Sequence, residues 1–281
     1  MDDLQIKIAD NNDIFNDLQF LHRKIWGIQD IDVTPTHIYS AVNKNGGVML
    51  CAYIDNKPVA FSFGFYGKDE DDSHYFYSHN MGVLKDYRHQ GIGLLLKIEL
   101  ARQLLRKNVN LVKWTFDPLE SANAYLNIHK LQATSYTYIT NYYEEMQDSI
   151  NRGVPSDRLI VHWNISTQLL NNVMRNHNEK KEYILADDHI LNRIHYDSEN
   201  LPQPHEMALN LPVNKKEMEC FFLEIPSNLH FLREKSMETV INWRYHVRNI
   251  LSACFEKGFF ISDAIYIKPR FYYVLTLKQH A

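Results

Sequence analysis

The stretch from His74 to Leu105 constrains this chain more than any other. His74-Tyr-Phe-Tyr-Ser-His-Asn-Met-Gly-Val-Leu84 reads as a strand, and Ile92, Leu95, Leu96, Ile98, Leu100, Leu104 and Leu105 give the helix after it an apolar face. Between them lies Lys85-Asp-Tyr-Arg88-His-Gln-Gly91-Ile-Gly93. Glycines at a strand-to-helix turn let the backbone approach a ligand closely. The first amides of the helix lack internal partners, and the positive end of its dipole lies there. Such a turn is built to hold phosphate.

Two common phosphate cradles do not fit. A dinucleotide fingerprint needs a third glycine, and Leu96 stands in its place. A Walker loop needs Gly-Lys-Ser/Thr, and Leu94 follows Gly93. The string resembles instead the acetyl-CoA motif of the GNAT acyltransferase superfamily, R/Q-x-x-G-x-G/A with a strand valine five residues upstream. Arg88, Gly91 and Gly93 fill that motif and Val83 is the valine.

The order of elements extends the resemblance over residues 1–166. Leu4–Ala9 alternates as a strand. Asn11 or Asn12 can cap a helix carrying Ile14, Phe15, Leu18, Leu21, Ile25 and Trp26. Thr34 can cap a short helix from Pro35 to Asn43, ended by Asn45-Gly46-Gly47. A hairpin is expected from Val48–Ile54 and Pro58–Tyr66, then a polar turn at Lys68–Asp72. After the cradle come a strand at Asn110–Phe116, a helix at Leu119–Lys130, and strands at Ala133–Thr140 and Asp157–Ser166. The resemblance implies an α/β (α+β) fold with a mixed, mostly antiparallel central sheet flanked by helices.

At about 150 residues per domain, 281 residues suggest two. Residues 167–281 read as a smaller α+β accessory domain. It has a helix at Thr167–Asn178, short strands near Tyr183–Leu185 and Phe221–Ile225, an amphipathic helix at Met237–Lys257, and a hairpin of Phe259–Ile267 with Phe271–Leu277. A degenerate half-copy of the first fold is conceivable, but no glycine lies between Gly153 and Gly258, so a second cradle of the same kind is excluded.

The net charge of −4 announces no nucleic-acid partner. Cys51, Cys220 and Cys254 are few and scattered, which fits a reducing compartment. The first residues lack the pattern of a secretory leader, and no run is long enough to span a bilayer. A cytoplasmic protein without membrane contact is expected. H-E-x-x-H, C-x-x-C and G-x-S-x-G are all absent, so no metal site and no serine elbow are expected.

By resemblance, acetyl-CoA or another acyl-CoA is the cosubstrate. Main-chain groups of Met81 and Val83 would pair with its pantetheine arm. The turn from Arg88 through His89, Gln90, Gly91, Ile92, Gly93 and Leu94 would wrap the pyrophosphate, and Asn123 would touch the cofactor. Acyl transfer to an amine needs a base for the amine proton. His79 is the first candidate, placed by period-two alternation on the face of Met81 and Val83, with Tyr77 as a relay. The family's usual acid is a tyrosine in N-x-x-A-x-x-x-Y-x-K-x-G-F. Here Ala124 and Lys130 align, but Ser121 replaces the asparagine and Ile128 the tyrosine. Tyr125, Asn127 and His129 are the replacements on offer. Asp117 could hold a substrate ammonium or cap the following helix. The acidic turn Asp69–Asp72 could steer a cationic acceptor or be merely solvated.

The reading is an acyl-CoA-dependent N-acyltransferase acting on a small amine-bearing acceptor by direct attack on the thioester. The alternatives are an acyl-CoA-binding or sensing module without turnover, and transfer of a larger acyl or aminoacyl group.

Overall fold

A computed structural model describes residues 3–28, 30–143, 153–175, 183–205 and 220–278. In chain order the first elements are β1 (Gln5–Ile8), α1 (Asn12–Trp26), α2 (Thr36–Lys44), β2 (Val48–Ile54), β3 (Lys57–Lys68), β4 (His74–Val83), α3 (Ile92–Leu105) and β5 (Leu111–Phe116). A short α4 (Ser121–Ala124) runs into a π-helical stretch, Tyr125–Lys130. Then come β6 (Thr134–Ile139), β7 (Arg158–Asn164), α5 (Thr167–Met174), β8 (Arg193–Tyr196), β9 (Pro202–His205) and β10 (Cys220–Ile225). The last elements are α6 (Leu229–Lys235), α7 (Met237–Glu256), β11 (Phe259–Ile267) and β12 (Arg270–Leu277).

The described chain forms two compact units. The first holds residues up to 114 with 164–175; the second holds 115–143, 153–163, 183–205 and 220–278. In the first unit β1, β2, β3 and β4 pair antiparallel in that order, and β5 joins β4 in parallel. One face of this sheet packs Met49, Cys51, Phe61 and Phe63 against Phe15, Leu18 and Leu21 of α1 and Tyr39 of α2. The other face meets α3, whose Leu96, Leu100 and Leu104 are fully buried. In the second unit β7, β6, β11, β12 and β10 form an antiparallel series, and α7 packs on β6 and β11 with Trp243 and Val247 buried. The architecture is thus mixed α/β, with mostly antiparallel sheet flanked by helices.

Local chemistry explains the elements the sequence anticipates. Asn11 accepts from the Ile14 amide and starts α1, and Gly27 at φ 62° ends it. Asp55 and Asn56, both at positive φ, make the two-residue turn of the β2–β3 hairpin.

Three expectations change, and one hairpin is new. Pro35, not Thr34, is the N-cap of α2, and no side chain bonds that cap. The expected helix Leu119–Lys130 is a single α turn followed by π turns, with Leu131 N–H bonding Leu126 O. Tyr183–Leu185 forms no strand. The hairpin β8–β9 carries Pro202 and Pro204, residues that argue against strand in a sequence reading but are tolerated on an edge. The last residues of the expected helix Thr167–Asn178, 176–178, lie outside the described residues.

Candidate acyl-CoA cradle and the groups around it

The cradle lies in the first unit. β4 ends at Val83, a single 3₁₀ turn spans Lys85–Tyr87, and α3 begins at Ile92. His89 and Gly91 both have positive φ, 62° and 80°. A Cβ built on Gly91 would meet nothing within 4 Å, so the space in front of this backbone is open. Gly91 caps α3 without any side-chain bond. The first intrahelical bond is Leu95 N–H to Gly91 O at 3.1 Å, so the amides of Ile92, Gly93 and Leu94 precede the ladder. Two side chains brace the turn: Arg88 Nε donates to Val83 O at 3.1 Å, and Gln90 Nε2 to Asp86 O at 3.2 Å. Arg88 therefore also ties the turn to the end of β4.

β4 carries a bulge. Phe63 pairs with Asn80 and Gly64 with Ser78, which leaves His79 as the extra residue. The bulge reverses the faces beyond it. His79 packs on Phe63 and Phe65, on the α1 side. A Cβ on Gly82 would meet Trp26 and Ile25, also on that side. Ser78, by contrast, reaches Lys97 of α3. Met81 pairs with Ser62 and Val83 with Ala60, one residue out of phase with Gly82. Met81 and Val83 thus point to the α3 side. The expectation that His79 shares their face is corrected: period-two counting fails across a bulge.

Main-chain directions follow the same logic. Leu84 N–H donates to Val59 O at 2.9 Å, so Leu84 and Gly82 turn their backbone groups toward β3. Met81 and Val83 turn theirs to the opposite edge. Pairing of β4 with β5 consists of two rungs, Phe76–Val112 and Tyr77–Lys113, so that edge is unzipped beyond Tyr77.

His79 sits among aromatic rings. Phe63 stands edge-on at 5.5 Å, Phe65 lies at 5.7 Å and Tyr77 at 6.2 Å between ring centroids. His79 is exposed to solvent, yet the rings packed beside it desolvate the imidazole enough to hold its pKa below the ordinary histidine value. Tyr77 meets it through ring packing. His22 of α1, buried against Trp26 and Phe61, is pushed down to about 4 by burial and then by the charge of His79. The acidic turn is paired locally: Asp69 with Lys113, and Asp72 with Lys68 at 2.6 Å.

The remaining expected residues lie in the second unit. Asp117 is 7% exposed. One carboxylate oxygen accepts from Leu119 N–H at 2.8 Å; the other takes Arg244, with Arg233 at 3.6 Å. Burial works to raise its pKa, but the Arg244 guanidinium, the charge of Arg158 and the Leu119 amide together outweigh burial and hold the carboxyl below the usual range. The carboxylate offered for a substrate ammonium is thus already held by arginine, and it shapes the Leu119 turn rather than capping α4. Asn123 is exposed and Asn127 buried. Tyr125 stacks on His129 at 4.7 Å and meets Tyr266 edge-on. His129 Nδ1 lies 2.9 Å from Asp263, which also accepts from the Tyr183 hydroxyl at 2.9 Å. Ile128 is buried.

One group escapes a motif-based reading of the first unit: Lys97, 2% exposed, inside the apolar stripe of α3. Its signal is legible afterwards, as a lysine at the spacing of Gly93, Leu100 and Leu104.

Among the described residues, no cluster of His, Cys, Asp and Glu could hold a metal ion, and no helix is long and apolar enough to cross a membrane. Residues 11–127, less than half of the chain, match the model of the acetyltransferase (GNAT) family. No curated protein matches the chain. Among solved structures, it is similar to the NatC complex bound to Gag peptide and CoA, at 16% identity, over 58% of this chain and 99% of that one, with a TM-score of 0.47. The ribosomal-protein-S18-alanine N-acetyltransferase of Escherichia coli matches at 15% identity over 64% and 99%, TM-score 0.46. Naa50 of Arabidopsis thaliana, in complex with a bisubstrate analogue, matches at 19% over 57% and 99%, TM-score 0.45.

Proposed function

We propose, from the match of residues 11–127 to the model of the acetyltransferase (GNAT) family, that this protein is an acetyl-CoA-dependent acetyltransferase acting on a small amine-bearing acceptor. The observation that carries the reading is the cradle: a strand edge left open at Met81 and Val83, leading into a turn whose Gly91 faces empty space at the start of α3. The amides of Ile92, Gly93 and Leu94 bind the pyrophosphate, helped by the helix dipole. Main-chain groups of Met81 and Val83 hold the pantetheine arm as an added strand, the Val83 carbonyl sharing its lone pairs with Arg88. Arg88 and Gln90 shape the turn, and the His89 amide adds a donor.

His79 is the base that takes the acceptor's proton. Its lowered pKa keeps it neutral, and so able to accept, near pH 7. The tetrahedral oxyanion is held by a strand amide beside the bulge. Asp117 has no part in this proposal, because its arginines neutralise it.

His79→Gln should lower kcat by about a hundredfold, the usual loss for a general base, while CoA affinity and melting stay near wild type. In the wild type, kcat should fall as acid protonates His79, with a midpoint below the ordinary histidine value; the variant should lose that limb. Steady-state rates across pH check this, and a variant with normal turnover ends the assignment.

Tyr125→Phe and Asn127→Ala each remove one donor that the sequence offers for the reaction. A fall in kcat at unchanged CoA affinity would assign that donor; unchanged kinetics would strike it out. Binding of acetyl-CoA without release of thiol to any amine would favour the sensing module instead.

A further inference from the structure

The first unit buries an amine that the cradle and His79 leave unused. Lys97 projects from α3 toward the sheet. Its Nζ donates to Ser78 Oγ at 3.0 Å and lies 3.5 Å from the centroid of the Trp114 ring. Those two partners mark a special place. The last rung joining β4 and β5 is Tyr77–Lys113, and Ser78 and Trp114 are the next residue on each strand. The ammonium therefore sits at the closed end of the gap between the strands, touching both sides of the fork.

Among the described residues of this unit, no carboxylate is placed to pair with it. The face of β2, β3, β4 and β5 toward α3 carries Leu50, Ala52, Ala60, Ser62, Phe76, Ser78, Val112 and Trp114, none of them acidic. α5, packed on α3, has no acid either. On α3 itself, Glu99 is engaged by Arg102 at 3.5 Å and Gln103 at 2.7 Å. Tyr66, Lys68 and His74 share this face farther along β3 and β4, where Tyr66 packs on Phe76 and Lys68 pairs with Asp72; none of the three is an acid, and burial alone acts on the lysine. An unpaired buried lysine is costly to keep, and cation–π contact with tryptophan offsets only part of that cost.

A use follows from where the cofactor arm ends. From Val83 back to Ser78 the strand covers about 16 Å at ~3.3 Å per residue, comparable to an extended pantetheine arm. An arm anchored at the cradle and laid along the open edge of β4 brings its sulfur to the fork. Ile128 meanwhile occupies the position where the sequence resemblance expects the acid.

We propose that Lys97 is the proton donor to the departing thiolate. The proposal rests on the acyl-transfer reading. As the tetrahedral intermediate collapses, the C–S bond breaks and its electron pair passes to sulfur. Sulfur takes a proton from the Lys97 ammonium and leaves as the free thiol. The neutral amine regains a proton from water before the next turnover. His79 and Lys97 thus serve opposite faces of β4, base on the α1 side and acid on the α3 side. Desolvation brings the lysine down to about 7, so it can both hold and release a proton near neutrality.

The test is thiol release from acetyl-CoA in the presence of an amine panel, with wild type, Lys97→Met and Lys97→Arg, alongside CoA affinity by calorimetry and thermal melting. Wild-type kcat should fall as pH rises through about 7. Both variants should fold, bind CoA near wild type and lose about a hundredfold in kcat, together with that alkaline limb; arginine keeps its charge but does not give up its proton. Three results would overturn the assignment: a wild-type profile with no alkaline limb near 7, a Lys97→Met enzyme that keeps rate and limb, or acetyl found on Lys97 after incubation with acetyl-CoA alone. The wild-type profile decides even if both variants misfold. If the wild type releases no thiol to any amine, the acyl-transfer reading fails and this proposal with it; failure confined to the Lys97 variants leaves that reading standing.

Discussion

Gly91→Glu should remove measurable acetyl-CoA binding from a chain that still folds. Gly91 holds φ 80° at the N-cap of α3, and the space ahead of it is open. Glutamate there imposes two penalties. Its Cβ strains the left-handed backbone by about 1–2 kcal/mol. Its carboxylate then occupies the phosphate position and accepts from the same amides. Each lost hydrogen bond to a charged phosphate is worth roughly 1.5–3 kcal/mol, so losing two, with charge repulsion added, weakens binding by about a thousandfold or more. Gly91→Ala separates the penalties: it keeps the strain without the charge and should retain most of the affinity. Calorimetric titration of both variants checks the pair. Wild-type affinity in a folded Gly91→Glu chain would mean that the cradle lies elsewhere.

The second large effect concerns stability. Lys97 titrates near 10.5 in an unfolded chain and at about 7 in the folded one. Between those values the unfolded state holds more protons, so this lysine makes the fold more stable as pH rises and least stable below 7. At about 1.4 kcal/mol per pKa unit, the buried cation costs on the order of 4–5 kcal/mol at pH 6. Lys97→Met should therefore stabilise the protein at pH 6 by a few kcal/mol, less the loss of the Ser78 hydrogen bond and the Trp114 contact. The advantage should shrink by about 2–3 kcal/mol between pH 7 and 9, as the wild-type amine becomes neutral. Urea melts of both proteins at pH 6, 7, 8 and 9 give the difference directly. Parallel curves would show that the lysine stays charged. A catalytic group kept at such a cost is an example of stability yielded for function.

The local signals carried well because they depend on neighbours in sequence. Asn11, Gly27 and Gly91 act within one helical turn, and the β2–β3 and β11–β12 hairpins follow from alternation ended by turn residues. Failures arose where the physics is longer in range or breaks a period. A bulge adds one residue to β4, so His79 stands opposite the face that counting assigns it. The Leu119–Lys130 segment has helical residues throughout, yet π turns replace α turns over Tyr125–Lys130. Asp117 reads in the sequence as an ammonium holder or a helix cap; its partner Arg244 lies 127 residues away, beyond any spacing argument. Lys97 differs: a lysine within an apolar stripe was visible, but long lysine stems on helices usually carry their charge out to solvent. Only the position of Ser78 and Trp114 at the strand fork shows that this one does not.

The acid and base assignments divide the reaction between two faces of one strand. Desolvation keeps His79 neutral to lower pH and lets Lys97 act as an acid near neutrality; aromatic rings supply it on the α1 side and the sheet-facing stripe of α3 on the other. A missing tyrosine at Ile128 is therefore compatible with turnover.

The central claim, acetyl transfer from acetyl-CoA to an amine, is tested most directly by following thiol release with the full chain and a panel of primary amines while the products are weighed by mass spectrometry. Release should depend on the amine and be matched by one acetyl group on the amine for each thiol freed. Tight binding of acetyl-CoA with no amine-dependent thiol and no acetylated product would contradict it.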